Sequence, residues 1–194
     1  MTTGKQVLVI NGNPDPSPDR LTSALAGAYL QGATDAGCRV RCINVGDLDF
    51  TLLRSATAFA ARPTGTILRA QEAFLAADHV VFVYPFWLGG PPALLKGFME
   101  QLACGQFLLG ENKSGFPKGQ LKGRSASVIV TMGAPPILYR LMFGQHGIKA
   151  FNNGILSLAG FSPVRTHVFG GKMITPPNTS EVISKVQKLG GQLA

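Results

Sequence analysis

A short β-branched run with no polar alternation, Gln6-Val-Leu-Val-Ile-Asn11, marks a strand buried on both faces of a parallel sheet. Further runs read as strands at Cys38–Val45, Val80–Tyr84, Ser127–Thr131 and Val164–Phe169. Between them apolar residues return at helical spacing: Leu21, Leu25, Ala28 and Tyr29, then Ile67, Ala70 and Phe74, then Ala93 to Leu102. Asn152 to Leu158 is expected to be helical, and Val182, Val186, Leu189 and Leu193 mark a final amphipathic helix. Asp47–Pro63 reads as an irregular excursion with a turn of helix, and Gly105–Arg124 as a Gly/Lys-rich loop. Strands that alternate with helices require crossover connections, hence a sheet covered on both faces. The expected class is α/β, a three-layer sandwich with five parallel strands in the order 2-1-3-4-5. Its binding crevice lies past the carboxyl ends of strands 1, 3 and 4.

With 194 residues, 45% of them hydrophobic, the chain can bury roughly 70% of its extended surface as one domain over residues 1–194. The excess of 18 Lys and Arg over 10 Asp and Glu gives +8, which favours anionic partners. These cations stand singly, with no run of five and no zinc-finger or RNP-type motif, so a phosphate-bearing small molecule fits better than nucleic acid. Cys38, Cys42 and Cys104 are expected to be reduced core thiols, with no metal role. Met1–Gln6 lacks the layout of a signal peptide, and the greasiest stretch, His79–Leu95, is broken by three prolines and two glycines. The expected location is the cytoplasm.

Three loops fall at the predicted crevice: Asn11–Arg20, Pro85–Pro92 and Thr131–Tyr139. The first lacks both G-x-G-x-x-G and G-x-x-x-x-G-K-[ST], which disfavours a dinucleotide-binding dehydrogenase and a P-loop NTPase. It offers instead Ser17, Arg20, Thr22 and Ser23 at a helix start, where hydroxyls, a guanidinium and backbone N–H groups suit a phosphate monoester. The same residues also read as an ordinary capped helix with a solvated Arg. The second loop sets the one Trp, Trp87, beside Phe86 at the end of a buried strand, where large rings await a flat partner or plug a contact. Gly89 and Gly90 let backbone approach that partner. The third loop carries Tyr139 and His146, a phenol and an imidazole able to donate to a forming oxyanion. His79 and His167 read as structural.

With these segments set out, residues 5 to 175 resemble the flavodoxin-like NAD(P)H:quinone oxidoreductase family. Tyr84-Pro-Phe-Trp-Leu-Gly-Gly-Pro-Pro-Ala-Leu-Leu-Lys-Gly-Phe is similar to that family's isoalloxazine loop and the helix after it. Thr131-Met-Gly-Ala-Pro, with Tyr139 and His146-Gly147, is similar to its T-x-G-x-P, Y and H-G segment. Asn13-Pro14 stands where the family usually has His-Pro. The resemblance implies that Asn13, Ser17, Arg20, Leu21 and Thr22 hold the phosphate end of FMN, with FAD as the alternative cofactor. It implies that Pro85, Phe86, Trp87, Leu88 and Gly89 line the isoalloxazine, and that Thr131, Met132, Gly133 and Ala134 line its other edge. Tyr139 and His146 would stabilise charge on the flavin N1/C2=O side, with Tyr139 also a cofactor contact. The implied activity is two-electron, ping-pong hydride transfer from NAD(P)H to a quinone by a cytoplasmic homodimer. Two further readings are a redox-regulatory subunit of a potassium-efflux system and a one-electron flavodoxin-type carrier. The +8 charge and the Tyr/His pair disfavour the carrier, because such proteins are typically acidic.

Overall fold

The computed structural model describes residues 4–111 and 115–193. Five parallel strands, β1 (Gln6–Asn11), β2 (Arg39–Asn44), β3 (His79–Pro85), β6 (Ser125–Met132) and β7 (Val164–Gly170), form one sheet in the order β2-β1-β3-β6-β7. This is the anticipated 2-1-3-4-5 order, because β4 (Leu109–Glu111) and β5 (Pro117–Gly119) pair only with each other, as an antiparallel hairpin. That hairpin corrects the expectation of a plain loop over Gly105–Arg124. Its strands are too short for period-2 alternation to register, and residues 112–114 lie outside the described part.

Alternation inside the central strands sorts side chains to two cores. Leu8 and Ile10 of β1, Val80 and Phe82 of β3, and Val128 and Val130 of β6 face α3 (Gly65–Ala76), α4 (Ala93–Ala103) and α6 (His146–Phe151). Val7, Val9, Val81, Val83 and Ile129 face α1 (Leu21–Asp35) and α7 (Thr179–Gly191). Leu193 falls beyond the end of α7. The edge strand β2 buries only Ile43, so Cys42 is exposed rather than a core thiol, whereas Cys38 and Cys104 are buried.

The excursion after β2 holds one short helix, α2 (Ala56–Ala60), capped by Ser55, whose hydroxyl accepts from the Ala58 N–H at 3.1 Å. The larger correction concerns residues 136–157. Instead of a loop through Tyr139 and a helix from Asn152, the chain forms α5 (Pro136–Phe143), then α6, and α6 runs on into a π-helical turn over Asn152–Ser157. α5 escapes a periodicity reading because its apolar residues point outward: Ile137, Leu138, Leu141, Met142 and Phe143 are exposed and Tyr139 alone is buried. Among the described residues, no helix is long and apolar enough to cross a membrane.

Candidate functional site at the carboxyl rim of the sheet

Parallel pairing lines up the ends of β1, β3 and β6, and the first residues beyond them are tied together. The Gly12 N–H donates to the Val83 carbonyl at 2.8 Å, and the Phe86 N–H to the Thr131 carbonyl at 2.7 Å. The three loops singled out in the sequence therefore leave from one rim.

The first loop is shaped by its own side chains. Asn11, Asn13, Asp15 and Ser17 each accept, through a side-chain oxygen, the N–H two residues on. Pro14, Pro16 and Pro18 occupy the intervening positions, where no N–H has to be satisfied. Asn13 is buried and donates through Nδ2 to the Thr22 hydroxyl at 2.9 Å, which fixes the loop to α1. The Ser23 hydroxyl donates to the Ser17 carbonyl at 2.9 Å. Arg20 is the N-cap residue of α1 and supplies no side-chain cap, so the first-turn N–H groups at Leu21 and Thr22 have no partner within the helix. Its guanidinium meets the Asp15 carboxylate at 2.6 Å, with both side chains about half exposed. The Ser17 N–H and Arg20 hold the Asp15 carboxyl below its ordinary value. This corner can take a phosphate, with Arg20 exchanging Asp15 for the incoming anion.

The second loop is a tight two-residue turn. Trp87 and Gly90 exchange both backbone hydrogen bonds, at 2.9 and 3.0 Å, around Leu88 at φ +44° and Gly89 at φ +89°. A non-glycine residue in the left-handed region is strained, and strain of that kind collects at ligand-contacting positions. The turn leaves Trp87 52% exposed and Leu88 wholly in solvent. Pro85 and Phe86 lie half-buried beneath it.

In the third segment, Thr131 and Met132 are buried at the end of β6, while Gly133 and Ala134 are exposed. Tyr139 comes back under the second loop from α5. Its ring meets Phe86 edge-on with centroids 4.8 Å apart, and its phenol oxygen accepts the Gly147 N–H at 3.3 Å. The phenol proton is thereby left for an acceptor on the rim. His146 is exposed, and its ring folds over Gly144, where a Cβ would come within 2.9 Å of Nε2. Glycine is required there twice over, because its φ is +55°. Gly147 approaches the Gly89 carbonyl so closely that a Cβ would sit 1.8 Å from the oxygen. Phe86, Gly89, Tyr139 and Gly147 thus form one contact cluster, with His146 at its edge.

Ser17, Arg20, Leu21 and Thr22 are gathered at the start of α1, with Asn13 bracing them from behind, and among the described residues no hydrogen bond joins them to Tyr139 or His146. Sequence reasoning passed over Tyr84. It is fully buried at the end of β3, its ring lies 5.3 Å from Phe151, and its hydroxyl finds no partner among the described residues. Burial, then the neighbouring Tyr139, pushes that phenol far up. Its only signal in the sequence was a hydroxyl at the end of an otherwise apolar strand. Among the described residues, no group of three or more His, Cys, Asp or Glu could hold a metal. The donors fit a phosphorylated planar ring, with the α1 corner for the anion and exposed Trp87 with glycine backbone for the flat face.

The fold and its rim define a doubly wound α/β protein with a ligand crevice at the switch point of its sheet. The chain belongs to the flavodoxin-like fold family, which matches residues 5–189. It is 28% identical to rat NAD(P)H dehydrogenase [quinone] 1 over 130 residues, 64% of this chain and 45% of that enzyme. The chain thus spans about half the length of that curated relative. Among solved structures, the NAD(P)H:quinone oxidoreductase of Methanothermobacter marburgensis superposes with a TM-score of 0.79 at 17% identity, covering 98% of this chain and 100% of that one. An FMN-dependent NADH-azoreductase from Bacillus anthracis, in complex with FMN, gives 0.75 at 17% identity, covering 98% and 99%. At such identity these two structures establish the fold alone.

Proposed function

We propose that this chain is an FMN-dependent NAD(P)H:quinone oxidoreductase. Two electrons and one proton leave NAD(P)H as hydride, and the quinone takes up that hydride and a solvent proton to give hydroquinone and NAD(P)+. The observation that carries the reading is the rim cluster, which joins exposed aromatic backing, glycine backbone and a buried phenol at the place where this fold binds ligands. The names of the rat relative and of the two solved structures support the reaction class.

FMN, when bound, supplies a ring that accepts hydride from the nicotinamide and passes it to an acceptor. Arg20 and the first-turn N–H groups of α1 hold the phosphate, with Ser17, Leu21 and Thr22 shaping that corner and Asn13 bracing it. Pro85, Phe86, Trp87, Leu88 and Gly89 wall one side of the ring, and Thr131, Met132, Gly133 and Ala134 the other edge. Tyr139, fixed by the Gly147 N–H and by Phe86, donates its phenol proton toward the edge where negative charge collects. His146 donates from solvent beside it. A ring walled on one side by these residues would offer its other face to donor and acceptor in turn, which would give ping-pong kinetics. The exposed apolar side of α5 is the surface through which two copies would pair.

Replacing Tyr139 by Phe together with His146 by Ala should slow flavin reduction in stopped flow by about tenfold or more while FMN stays bound. An unchanged rate with bound flavin would remove both residues from the chemistry.

A further inference from the structure

Two aromatic side chains of β3 pack on the same ring and differ by one hydroxyl. Phe82 and Tyr84 stand two residues apart, on the face of the sheet turned to α6, and each meets Phe151 edge-on, with centroids 5.4 and 5.3 Å away. Both are fully buried. Phe82 fills its place with carbon alone, in a core that also takes Phe74, Phe98 and Phe161. Tyr84 adds a hydroxyl that has no hydrogen-bond partner among the described residues. A buried hydroxyl left unanswered carries a desolvation cost that a phenylalanine avoids, so packing does not explain a phenol at this position.

Two placements set Tyr84 one step inward from Tyr139. Phe86 follows Tyr84 by two residues, packs against the same core, and meets the Tyr139 ring edge-on at 4.8 Å. Gly147 and Phe151 stand one turn apart on α6, where the Gly147 N–H donates to the Tyr139 oxygen at 3.3 Å and Phe151 packs on Tyr84. Burial first, then the neighbouring Tyr139, pushes the Tyr84 phenol up, so Tyr84 keeps its proton in neutral solution. A hydroxyl hydrogen rotates about its C–O bond and can turn to whichever neighbour gains negative charge.

We propose that Tyr84 is a positioning residue for flavin reduction: its hydroxyl dipole turns toward the Tyr139 oxygen and stabilises the negative charge that grows there as Tyr139 donates toward the flavin edge. The inference rests on the quinone-reductase reading and adds to it a second phenol, one that acts through Tyr139. The hydride carries both electrons, and Tyr84 gives up neither atom nor proton. In a buried, low-dielectric place such a dipole acts strongly and needs one rotation only.

The test is Tyr84→Phe, which removes the oxygen and leaves the ring. In stopped flow with the FMN-loaded full chain, flavin reduction at saturating NAD(P)H should slow by about threefold to tenfold, while the half-saturating NAD(P)H concentration and the FMN affinity stay within about twofold of the parent. The midpoint potential of bound FMN should become more negative, because the charge of the reduced ring is less well stabilised. In a Tyr139→Phe background the same change should have no further effect on the rate, since the dipole then has no phenol to act on. Without flavin, Tyr84→Phe should melt no lower than the parent. A rate and potential equal to those of an active parent would overturn the role, as would a full further loss in the Tyr139→Phe background. A lower melting temperature of the flavin-free chain would also overturn it, by making the hydroxyl part of the fold. A parent that binds FMN and reduces no quinone would instead remove the reductase reading, and the role with it.

Discussion

The two ends of β3 treat their polar groups in opposite ways. At its start His79 is 2% exposed, and both ring nitrogens are engaged: Nδ1 with the Ser125 hydroxyl at 2.7 Å, Nε2 with Ser127 at 3.1 Å and with the Tyr29 hydroxyl at 3.2 Å. At its other end the strand delivers Trp87 and Leu88 to solvent and leaves the Tyr84 hydroxyl without a partner among the described residues. The closed end contributes stability, since both nitrogens of the His79 ring are answered from within. The open end gives stability up in an exposed indole, an exposed leucine and a strained turn, and those are the features a ligand can use. One sheet thus separates the end that holds the fold from the end that is open to a ligand.

The strongest way to break that comparison is at the closed end. Replacing His79 by Leu removes the ring that the Tyr29, Ser125 and Ser127 hydroxyls share and should cost about 3 kcal/mol in denaturant unfolding. FMN affinity of the folded fraction should not change. The same site predicts an acid dependence. Burial first, then the charges of Arg165 and Lys5, lowers the His79 pKa to about 4 from an ordinary 6.5. The unfolded chain therefore takes up a proton before the folded chain does, so stability is full above about pH 6.5 and falls as pH drops toward 4. His79→Leu should remove that part of the slope, and an unchanged slope would clear His79 of the effect.

At the open end the expected effects are on binding. Gly147→Ala forces a Cβ against the Gly89 carbonyl, so the Trp87 turn and the start of α6 must separate. Overpacking of this kind costs about 1–3 kcal/mol, and here it should emerge as weaker FMN binding in fluorescence titration more than as lost stability. Arg20→Ala is the gentlest case. Its guanidinium is exposed and already shared with Asp15, so FMN should bind only several-fold more weakly, about 1 kcal/mol. Equal affinity would take Arg20 out of the phosphate corner.

The same division explains what could be read from the sequence. The central strands were legible because both of their faces are buried, and the crevice followed from strand order, so the loops at Asn11, Pro85 and Thr131 could be placed on one rim without coordinates. Tyr139 was legible as a residue but not as part of a helix, because α5 turns its apolar side outward and buries only that phenol. The edge strand β2 misplaced Cys42 for a related reason, since most of its residues face water. The His79 network could not be seen at all. Tyr29 lies 50 positions away in the chain and Ser127 lies 48, and only pairing of β3 with β6 and packing of α1 bring their hydroxyls to the ring. Gly147 carries no side chain to signal its close approach to the Gly89 carbonyl.

Titrating the full chain with FMN, and assaying the complex with NADH or NADPH and a small naphthoquinone, asks most directly whether this rim is a flavin site. The account predicts one FMN bound per chain, quenched in fluorescence, and nicotinamide oxidation that depends on the quinone. A chain that stays colourless at FMN concentrations far above its own, while fully folded by circular dichroism, would contradict it.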